Sequence, residues 1–309
     1  MIPSQKLNLV LAMQVFARVV EAGTFTKAAG SLKMPKATVT KLVQSLESHL
    51  RVRLLNRTTR RVTVTPDGSA YYERAVRLLE DLADLEASVS NAQASPKGTL
   101  RIDAGGSLAS LLLLPRLASF TDRYPEIQVE IGVSDRTIDL IGENVDCVIR
   151  AGPLTEQSLV ARRVGDLPWA TCATPAYFSR HGTPKRPSDL ERGHVMVSRF
   201  SGRTGRPVPF VFGRNGEHFE IDVPHRVAVN DSNAHLAATI AGLGIAQMPA
   251  FMMQGIPEAK LKAVLMDWQP SALPVNVLYP PNRHLSARVR AFVDWTVTLF
   301  AASEATWRR

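Results

Sequence analysis

The stretch GTFTKAAGSLKMPKATVTKLVQSLESHL, residues 23–50, predicts two helices joined by a tight turn. Gly23 ends an earlier amphipathic helix, in which apolar residues recur at helical spacing from Leu9 onward. Thr26 is expected to cap the short second helix, whose two alanines allow close helix packing. The pattern is typical of a helix-turn-helix.

The third helix of this unit has an apolar and a polar face, and Val39, Val43, Leu46 and Leu50 form the apolar one. At about 100° per residue, the opposite face holds small, hydroxylated, amide and cationic residues without a carboxylate: Ala37, Lys41, Gln44 and Ser48, flanked by Thr38 and Ser45. Such a face suits the phosphates and base edges of a DNA major groove. The alternative is an ordinary solvated face, which leaves the near absence of glutamate unexplained.

The net charge of the chain is concentrated in this region. The 309 residues carry a formal charge of +9, and residues 1–61 alone hold 11 basic and two acidic residues. The remaining 248 residues hold 26 of each sign and are neutral. A clustered positive charge favours a polyanionic partner, and nucleic acid in particular.

The segment RVRLLNRTTRRVTVTPDG, residues 51–68, predicts a short β-wing after the third helix. Its arginines, Arg57, Arg60 and Arg61, are expected to reach the DNA backbone or minor groove. A plain solvated basic loop is the alternative.

Residues 66–93 predict one long acidic helix with a seven-residue apolar repeat. One heptad position holds Ala75, Leu82 and Val89, and the other holds Leu78, Leu85 and Ala92. Thr65 and Pro66 suit its N-cap and first helical position. The repeat favours a coiled coil that pairs two chains, and the alternative is a long helix packed on its own domain.

Several classes of protein are disfavoured. Cys147 and Cys172 lack a CxxC neighbour and are too few for a disulfide framework, which indicates a reduced, cytosolic chain. We interpret both as small core residues rather than redox sensors. No apolar run approaches the roughly 18 residues of a membrane span. The GxSxG, HExxH and P-loop patterns are absent, so we predict no catalytic residue, metal site or cofactor.

After the linker-like SPKG at residues 95–98, short β-like runs alternate with helical ones, as in an α/β domain. The predicted strands are Thr99–Ala104, Ile127–Val133, Asp146–Arg150, Trp169–Ala173, His194–Val197, Arg226–Val229 and Pro274–Tyr279. Predicted helices open at Ser107, after Asn230-Asp231-Ser232, and at Ser286.

These features together resemble the LysR-type transcriptional regulators over nearly the whole chain. The family's N-terminal pattern is present as Phe16, Val19, Glu21, Gly23, Thr24, Phe25, Thr26, Ala28, Ala29, Leu32, Val39, Thr40, Leu46, Glu47, Leu50, Leu54, Leu55, Arg57, Arg60, Thr65 and Gly68. LLNRTTRRVTVT at 54–65 and LYPPNRHLSARVRAFVDW at 278–295 resemble a large subgroup of these regulators.

The resemblance implies an α plus α/β architecture: a winged helix-turn-helix at 1–65, a coiled-coil dimerisation helix at 66–94, and an effector-binding region at 95–309. That region would resemble periplasmic binding proteins, with one subdomain at about 97–163 and 268–300 and a second at about 164–267. An effector would bind in the cleft between them.

The candidate DNA-contacting residues lie in the second helix, the third helix and the wing: Thr26, Lys36, Ala37, Thr38, Thr40, Lys41, Gln44, Arg57, Arg60, Arg61 and Thr65. Two positions depart from the family pattern. Arg51 replaces the usual glycine after the third helix, so a less suitable residue must make the left-handed turn. Pro35 replaces the usual serine cap and offers no capping oxygen.

By family position, the effector pocket would contain Ser107, Leu108, Arg150, Ser198, Asn230 and Met248. Ser107 would offer its hydroxyl and free backbone N–H groups at a helix N-terminus to a carboxylate. For each residue the alternative is a cap or core-packing role, and Arg150 in particular is open to being fixed by an acidic neighbour.

The sequence therefore predicts a cytoplasmic, non-enzymatic regulator that binds double-stranded DNA as a homodimer or homotetramer. A small-molecule effector would modulate that binding, with no metal, cofactor or membrane involved. The rival from another class is a solute-binding protein or enzyme on the same α/β region with the basic head as an accessory. A weaker rival treats the head as an RNA-binding or structural module.

Overall fold

The computed structural model describes residues 7–57, 62–89, 96–136, 138–140, 142–143, 145–153, 158–202, 204–214, 217–222, 224–281 and 285–307. The chain divides into two compact units, Met1–Ala94 and Ser95–Arg309.

The described part of the first unit has the predicted order of helices and strands. The elements are α1 (Leu9–Ala22), α2 (Phe25–Ser31), α3 (Lys36–Leu50), β1 (Leu55–Arg57), β2 (Val62–Val64) and α4 (Pro66–Val89). Strands β1 and β2 pair antiparallel as the wing, with Leu55 opposite Val64. The core of this unit is apolar and joins α1, α2, α3 and the wing: Ala12, Val15, Phe16, Val19, Ala28, Ala29, Val39, Val43, Leu46, Leu54 and Leu55.

The ends of the first helices explain the sharp turns. Gly23 closes α1 in the left-handed conformation, at φ 68°, as predicted. The expected cap of α2 is wrong by two residues: Thr24, not Thr26, has extended backbone and accepts the Lys27 N–H at 3.2 Å. Thr26 lies instead in the first turn of α2, because the chain becomes helical at Phe25.

Both departures around α3 have the expected geometry. Pro35 precedes α3 without a side-chain capping bond. Arg51 ends it in the left-handed region, at φ 57°. Thr65 accepts the Gly68 N–H at 2.9 Å at the start of α4, which confirms its capping role.

In the second unit, the described residues form a five-stranded sheet and several smaller ones. The strands are β3 (Gly98–Ala104), β4 (Ile127–Val133), β5 (Cys147–Ala151), β6 (Val160–Leu167), β7 (Trp169–Ala173), β8 (Met196–Phe200), β9 (Pro207–Val208), β10 (Phe210–Arg214), β11 (Glu217–Ile221), β12 (His225–Val229), β13 (Ala246–Pro249), β14 (Lys262–Val264) and β15 (Leu273–Tyr279). The helices are α5 (Ala118–Arg123), α6 (Pro175–His181), α7 (Ser232–Ile240) and α8 (Ala287–Trp307).

The five-stranded sheet has the order β4-β3-β5-β15-β6. Strand β3 runs parallel to β4 and β5, whereas β15 runs antiparallel to β5 and β6. The chain therefore returns to this sheet near its C-terminal end, and α8 packs on it through residues such as Phe292 and Phe300. This sheet and its helices form the first subdomain.

The second subdomain contains the sheets β13-β7-β14 and β12-β8-β9 and the hairpin β10-β11. Strands β8 and β12 are parallel, so their carboxyl ends meet just before α7. Asp231 caps α7 by accepting the Ala234 N–H at 2.7 Å, inside the predicted Asn230-Asp231-Ser232 segment.

The predicted helix at Ser107 continues as a π-helix over Leu108–Leu113 and a 3-10 turn over Leu114–Arg116. Within the described residues no single helix is both long and apolar enough to cross a membrane. Helices α1 and α2 taken together have the length and composition of a membrane span, but the chain bends by 119° between them.

Candidate DNA-binding surface and effector cleft

Helix α3 presents the predicted polar face to solvent. Lys36, Ala37, Thr38, Lys41 and Gln44 are exposed, whereas Val39, Val43 and Leu46 on the opposite face are fully buried. Thr40 is half-buried, and its hydroxyl donates to the Lys36 carbonyl at 2.9 Å. The exposed groups are short or cationic, which matches the chemistry of base edges and phosphates.

The one acidic residue in the sequence of α3, Glu47, is directed away from this face. Its carboxylate accepts the Leu54 N–H at 2.9 Å and the Leu55 N–H at 3.1 Å. Glu47 thus fixes the path from α3 into the wing, and its negative charge is engaged there. The side chain of Thr26 is exposed at the start of α2.

The wing residues divide into described and undescribed ones. Arg60 and Arg61 lie outside the described residues, and Arg57 is described only by its backbone, which pairs with Val62. The Thr65 hydroxyl donates to the Arg53 carbonyl at 2.8 Å as well as capping α4. The Thr65 hydroxyl is thus used within the head as both donor and acceptor, and its contact with DNA stays a prediction.

One exposed cation beside α3 was missed by the sequence interpretation. Lys33 lies two residues before Pro35 in the left-handed region, at φ 51°, and its side chain is exposed. A basic residue in the turn between α2 and α3 was the available signal. Arg18, by contrast, is held within the unit, since Nε donates to Ser31 at 2.8 Å and Nη1 pairs with Glu21 at 2.8 Å.

In the second unit, the start of α7 meets the turn that follows β3. The Ser107 N–H donates to the Ser232 hydroxyl at 2.8 Å. Ser107 therefore lies beside the segment that contains Asn230. The prediction that its backbone N–H is free for a ligand is wrong in this structure, because Ser232 occupies that N–H and the residue is only 6% exposed.

Arg150 is fixed by an acidic neighbour, the alternative foreseen for it. Its Nη2 forms an ion pair with Asp103 at the end of β3 and also donates to the Arg136 carbonyl at 3.2 Å. Both partners of the ion pair are largely buried, which strengthens their attraction relative to a surface pair. Arg150 thus anchors the loop after β4.

Three other predicted effector residues are packed inside the unit. Leu108 and Met248 belong to its main apolar core. Ser198 is fully buried, and its hydroxyl donates to the Arg199 carbonyl at 3.1 Å. The core-packing alternative accounts for these three positions, whereas Asn230 is exposed at the carboxyl end of β12.

Two residues near that strand end were missed from the sequence. Arg199 pairs in register with Val229, directly before Asn230, and its Nε is buried without a hydrogen-bond partner among the described residues. His235 on α7 is buried, with its Nε2 2.9 Å from the Val197 carbonyl. Burial lowers the pKa of His235 to about 4, and the nearby Arg199 charge acts in the same direction.

Both cysteines are core residues, as interpreted. Cys147 in β5 and Cys172 in β7 are fully buried. Burial raises the pKa of the Cys147 thiol well above its usual value and that of Cys172 to about 12. Neither thiol therefore has the thiolate character that a redox sensor requires.

A basic helix-turn-helix head with a wing, followed by a long helix and a two-subdomain α/β unit, defines a ligand-responsive DNA-binding regulator. The description "Bacterial regulatory helix-turn-helix protein, lysR family" matches residues 11–69, and "LysR substrate binding domain" matches residues 93–301. The chain belongs to the LysR family of transcriptional regulators, and its operator binding is modulated by an effector.

Curated relatives and solved structures cover nearly the full length. An HTH-type transcriptional repressor of Pseudomonas aeruginosa is 40% identical over 296 residues, 96% of this chain and 93% of the relative. The regulator CrgA of Neisseria meningitidis is 33% identical over 92% of this chain and 95% of its own length. The solved CrgA structure has a TM-score of 0.59 at 31% identity, covering 94% of this chain and 98% of that one. The full-length Vibrio cholerae virulence activator AphB has a TM-score of 0.56 at 29% identity, covering 94% and 98%.

Proposed function

We propose that the protein acts in the cytoplasm as a paired DNA-binding regulator that inserts α3 of each head into a major groove. The observation that carries the proposal is the exposed, carboxylate-free face of Lys36, Ala37, Thr38, Lys41 and Gln44. Amide and cationic side chains read base edges, and the methyl group of Ala37 suits a thymine methyl. Lys33 and the wing arginines Arg57, Arg60 and Arg61 would hold the backbone on either side.

Helix α4 is proposed as the pairing element. Leu78 and Leu85 share one heptad position and are 57% and 52% exposed, so they form an apolar stripe on α4 that a partner helix would bury. Ala75, on the other heptad position, is buried in its own head. The proposed pairing surface of α4 therefore begins at Leu78. The head, the pairing helix and the effector-binding region are accordingly proposed to meet at residues 65–66 and 94–95.

The effector is proposed to bind between the two subdomains, at the carboxyl ends of β8 and β12. Ligand crevices in open α/β sheets lie at such strand ends. Asn230 is exposed there, and Arg199 supplies a cation whose Nε has no hydrogen-bond partner among the described residues. These two residues, rather than Leu108, Ser198 and Met248, are the ones we expect to contact it. The role is regulation without catalysis.

A mobility-shift assay with the DNA that flanks the gene tests the DNA-binding part. The full-length protein should retain this DNA in the presence of excess unrelated competitor. Lys41→Ala should weaken specific binding about tenfold or more, since one good base contact contributes about 1–3 kcal/mol of discrimination.

Lys262→Ala is the matched control, because it removes an exposed lysine from β14, in the second unit. It should leave affinity unchanged. Equal losses in the two variants, or no retention of the flanking DNA by the wild type, would contradict the proposed surface.

A further inference from the structure

The carboxylate of Asp135 lies between two helix starts from different subdomains. Its Oδ1 accepts the Gly106 N–H at 2.9 Å, just after β3 in the first subdomain. Its Oδ2 accepts the Ser232 N–H at 2.5 Å, at the first residue of α7 in the second. One charged group thus bridges the boundary between the subdomains, which is called the seam below and lies between the turn at Gly106 and the start of α7 at Ser232.

Asp135 is not needed as the cap of α7. Asp231 already performs that role through its bond to the Ala234 N–H. Asp135 comes from the loop after β4, 97 residues earlier in the chain, so its bond to Ser232 serves to join the subdomains. Charge-assisted bonds of this kind are roughly twice as strong as neutral ones.

Two neutral contacts lie in the same seam. Ser107 N–H donates to the Ser232 hydroxyl at 2.8 Å, and the Ser110 hydroxyl donates to Asn233 Oδ1 at 2.9 Å. Among these contacts only the one from Asp135 carries a formal charge. It is therefore the contact whose loss should weaken the seam most.

The loop that carries Asp135 is itself held in place. Arg150 donates to the carbonyl of Arg136, the next residue, while paired with Asp103. This gives Arg150, at the end of β5, a positioning role for the loop that carries Asp135.

The seam leaves little free space beside these groups. A Cβ built on Gly105 would lie 3.0 Å from Asp135 Oδ1, and one on Gly106 would lie 3.1 Å from the Ser232 hydroxyl. A ligand that enters between these closely packed groups must separate Asp135 from Ser232, because a ligand and the packed side chains cannot occupy the same volume.

We propose that Asp135 is an internal latch that holds the two subdomains together when no effector is bound, and that effector entry requires it to release Ser232. The proposal rests on the proposed function, in which the effector binds between the subdomains. Latch release then shifts the population toward an open form, and the DNA-binding heads respond to that shift.

Three variants of the full-length protein test the latch without any effector. Asp135→Ala removes both acceptors, and Asp135→Asn keeps a single carbonyl oxygen of the same shape. Asp122→Asn is the control, since it removes the same charge from an exposed position on α5.

Hydrogen exchange of the backbone amides is the direct readout. In Asp135→Ala, the Gly106 and Ser232 amides should exchange at least about tenfold faster than in the control. In Asp135→Asn these two amides should exchange at rates between those in Asp135→Ala and those in the Asp122→Asn control. Amides in β7 should keep their wild-type rates in every variant. Unchanged rates at Gly106 and Ser232 overturn the latch, and a uniform increase shows general destabilisation and overturns it as well.

A DNase I footprint on the flanking DNA is the second readout. A footprint altered in Asp135→Ala but not in Asp122→Asn supports coupling of the latch to the heads. An identical footprint despite faster exchange overturns the regulatory role. If wild-type protein leaves no footprint, the proposed function fails, while the exchange rates still decide whether Asp135 closes the seam.

Discussion

Arg51 shows how a single residue can be tolerated in an unfavourable conformation. It closes α3 at φ 57°, a region in which glycine is at ease and side chains with a Cβ are strained. Its backbone N–H nevertheless bonds to the Glu47 carbonyl, which is the interaction that ends the helix. The exposed guanidinium adds to the positive charge beside the proposed DNA surface.

Arg51→Gly should therefore raise the free energy of unfolding of the head by about 0.5–1 kcal/mol, because glycine adopts this conformation without strain. The measurement is thermal or urea unfolding followed by circular dichroism. Arg51→Ala separates the two properties of the residue. It removes the charge but keeps the strain, so a stability gain in alanine equal to that in glycine would contradict the explanation.

His235 gives the second unit a predictable pH dependence. Its folded pKa, about 4, lies below the ordinary value of 6.5 because the ring is buried, so below pH 6.5 the unfolded chain binds a proton that the folded chain does not. Stability should fall as pH drops from 6.5 towards 4, with a slope of up to about 1.4 kcal/mol per pH unit. Denaturant unfolding at a series of pH values measures it. Burial also lowers the pKa of His194, which adds a dependence of the same sign.

His235→Gln should reduce the dependence of the free energy of unfolding on pH between 6.5 and 4. It will also lower stability at every pH through imperfect packing. His225→Gln replaces an exposed histidine and is the matched control. A wild-type slope that survives in His235→Gln would show that other groups carry the effect.

At the scale of elements, α4 exposes two leucines that pairing with a second helix would bury. Leu78 and Leu85 are seven residues apart and more than half exposed, so a partner helix would bury both. Leu78→Glu combined with Leu85→Glu should convert the oligomer to monomer, because charged groups in a coiled-coil seam lose their hydration. Sedimentation velocity measures the result.

Leu243→Glu is the control for that experiment, since Leu243 is 48% exposed and lies outside α4. It should leave the sedimentation coefficient unchanged. Full-size particles from the double variant would instead favour the alternative that α4 packs only within its own chain.

The elements that could be predicted from sequence are those whose signal is local. Helices α1 to α4 have strong apolar periodicity and turn residues between them, and strand β7 was predicted with its observed ends. Strands β9, β10 and β11 were missed although they pair with strands nearby in the sequence. Strands β6, β13 and β14 were missed because they pair with distant strands, β15 or β7. Gln247 illustrates the difficulty: a polar residue inside β13, it donates to the Val211 carbonyl at 2.7 Å and accepts the Val211 N–H at 2.9 Å.

The effector cleft was harder to predict than the DNA surface for the same reason. One helix, α3, presents most of the proposed DNA-binding surface, and its exposed side follows from its own periodicity. Of the residues predicted for the cleft, Ser107 is paired with a residue 125 positions away and Arg150 with one 47 positions away. Nothing in the local sequence reveals that these groups are already occupied.

At the scale of the whole molecule, the excess positive charge and the proposed ligand response lie in different parts of the chain. The excess of nine positive charges lies in residues 1–61, whereas the remaining 248 residues are neutral. Binding to flanking DNA should therefore weaken steeply with salt, with a slope of log K against log salt of about −0.9 for each phosphate neutralised. Fluorescence anisotropy at several salt concentrations measures the slope.

Lys33→Ala should make the slope shallower by about one for each head, as expected for a lost phosphate contact. Lys262→Ala, in the second unit, should leave the slope as it is, and a wild-type slope near zero would contradict a binding mode based on the charged head.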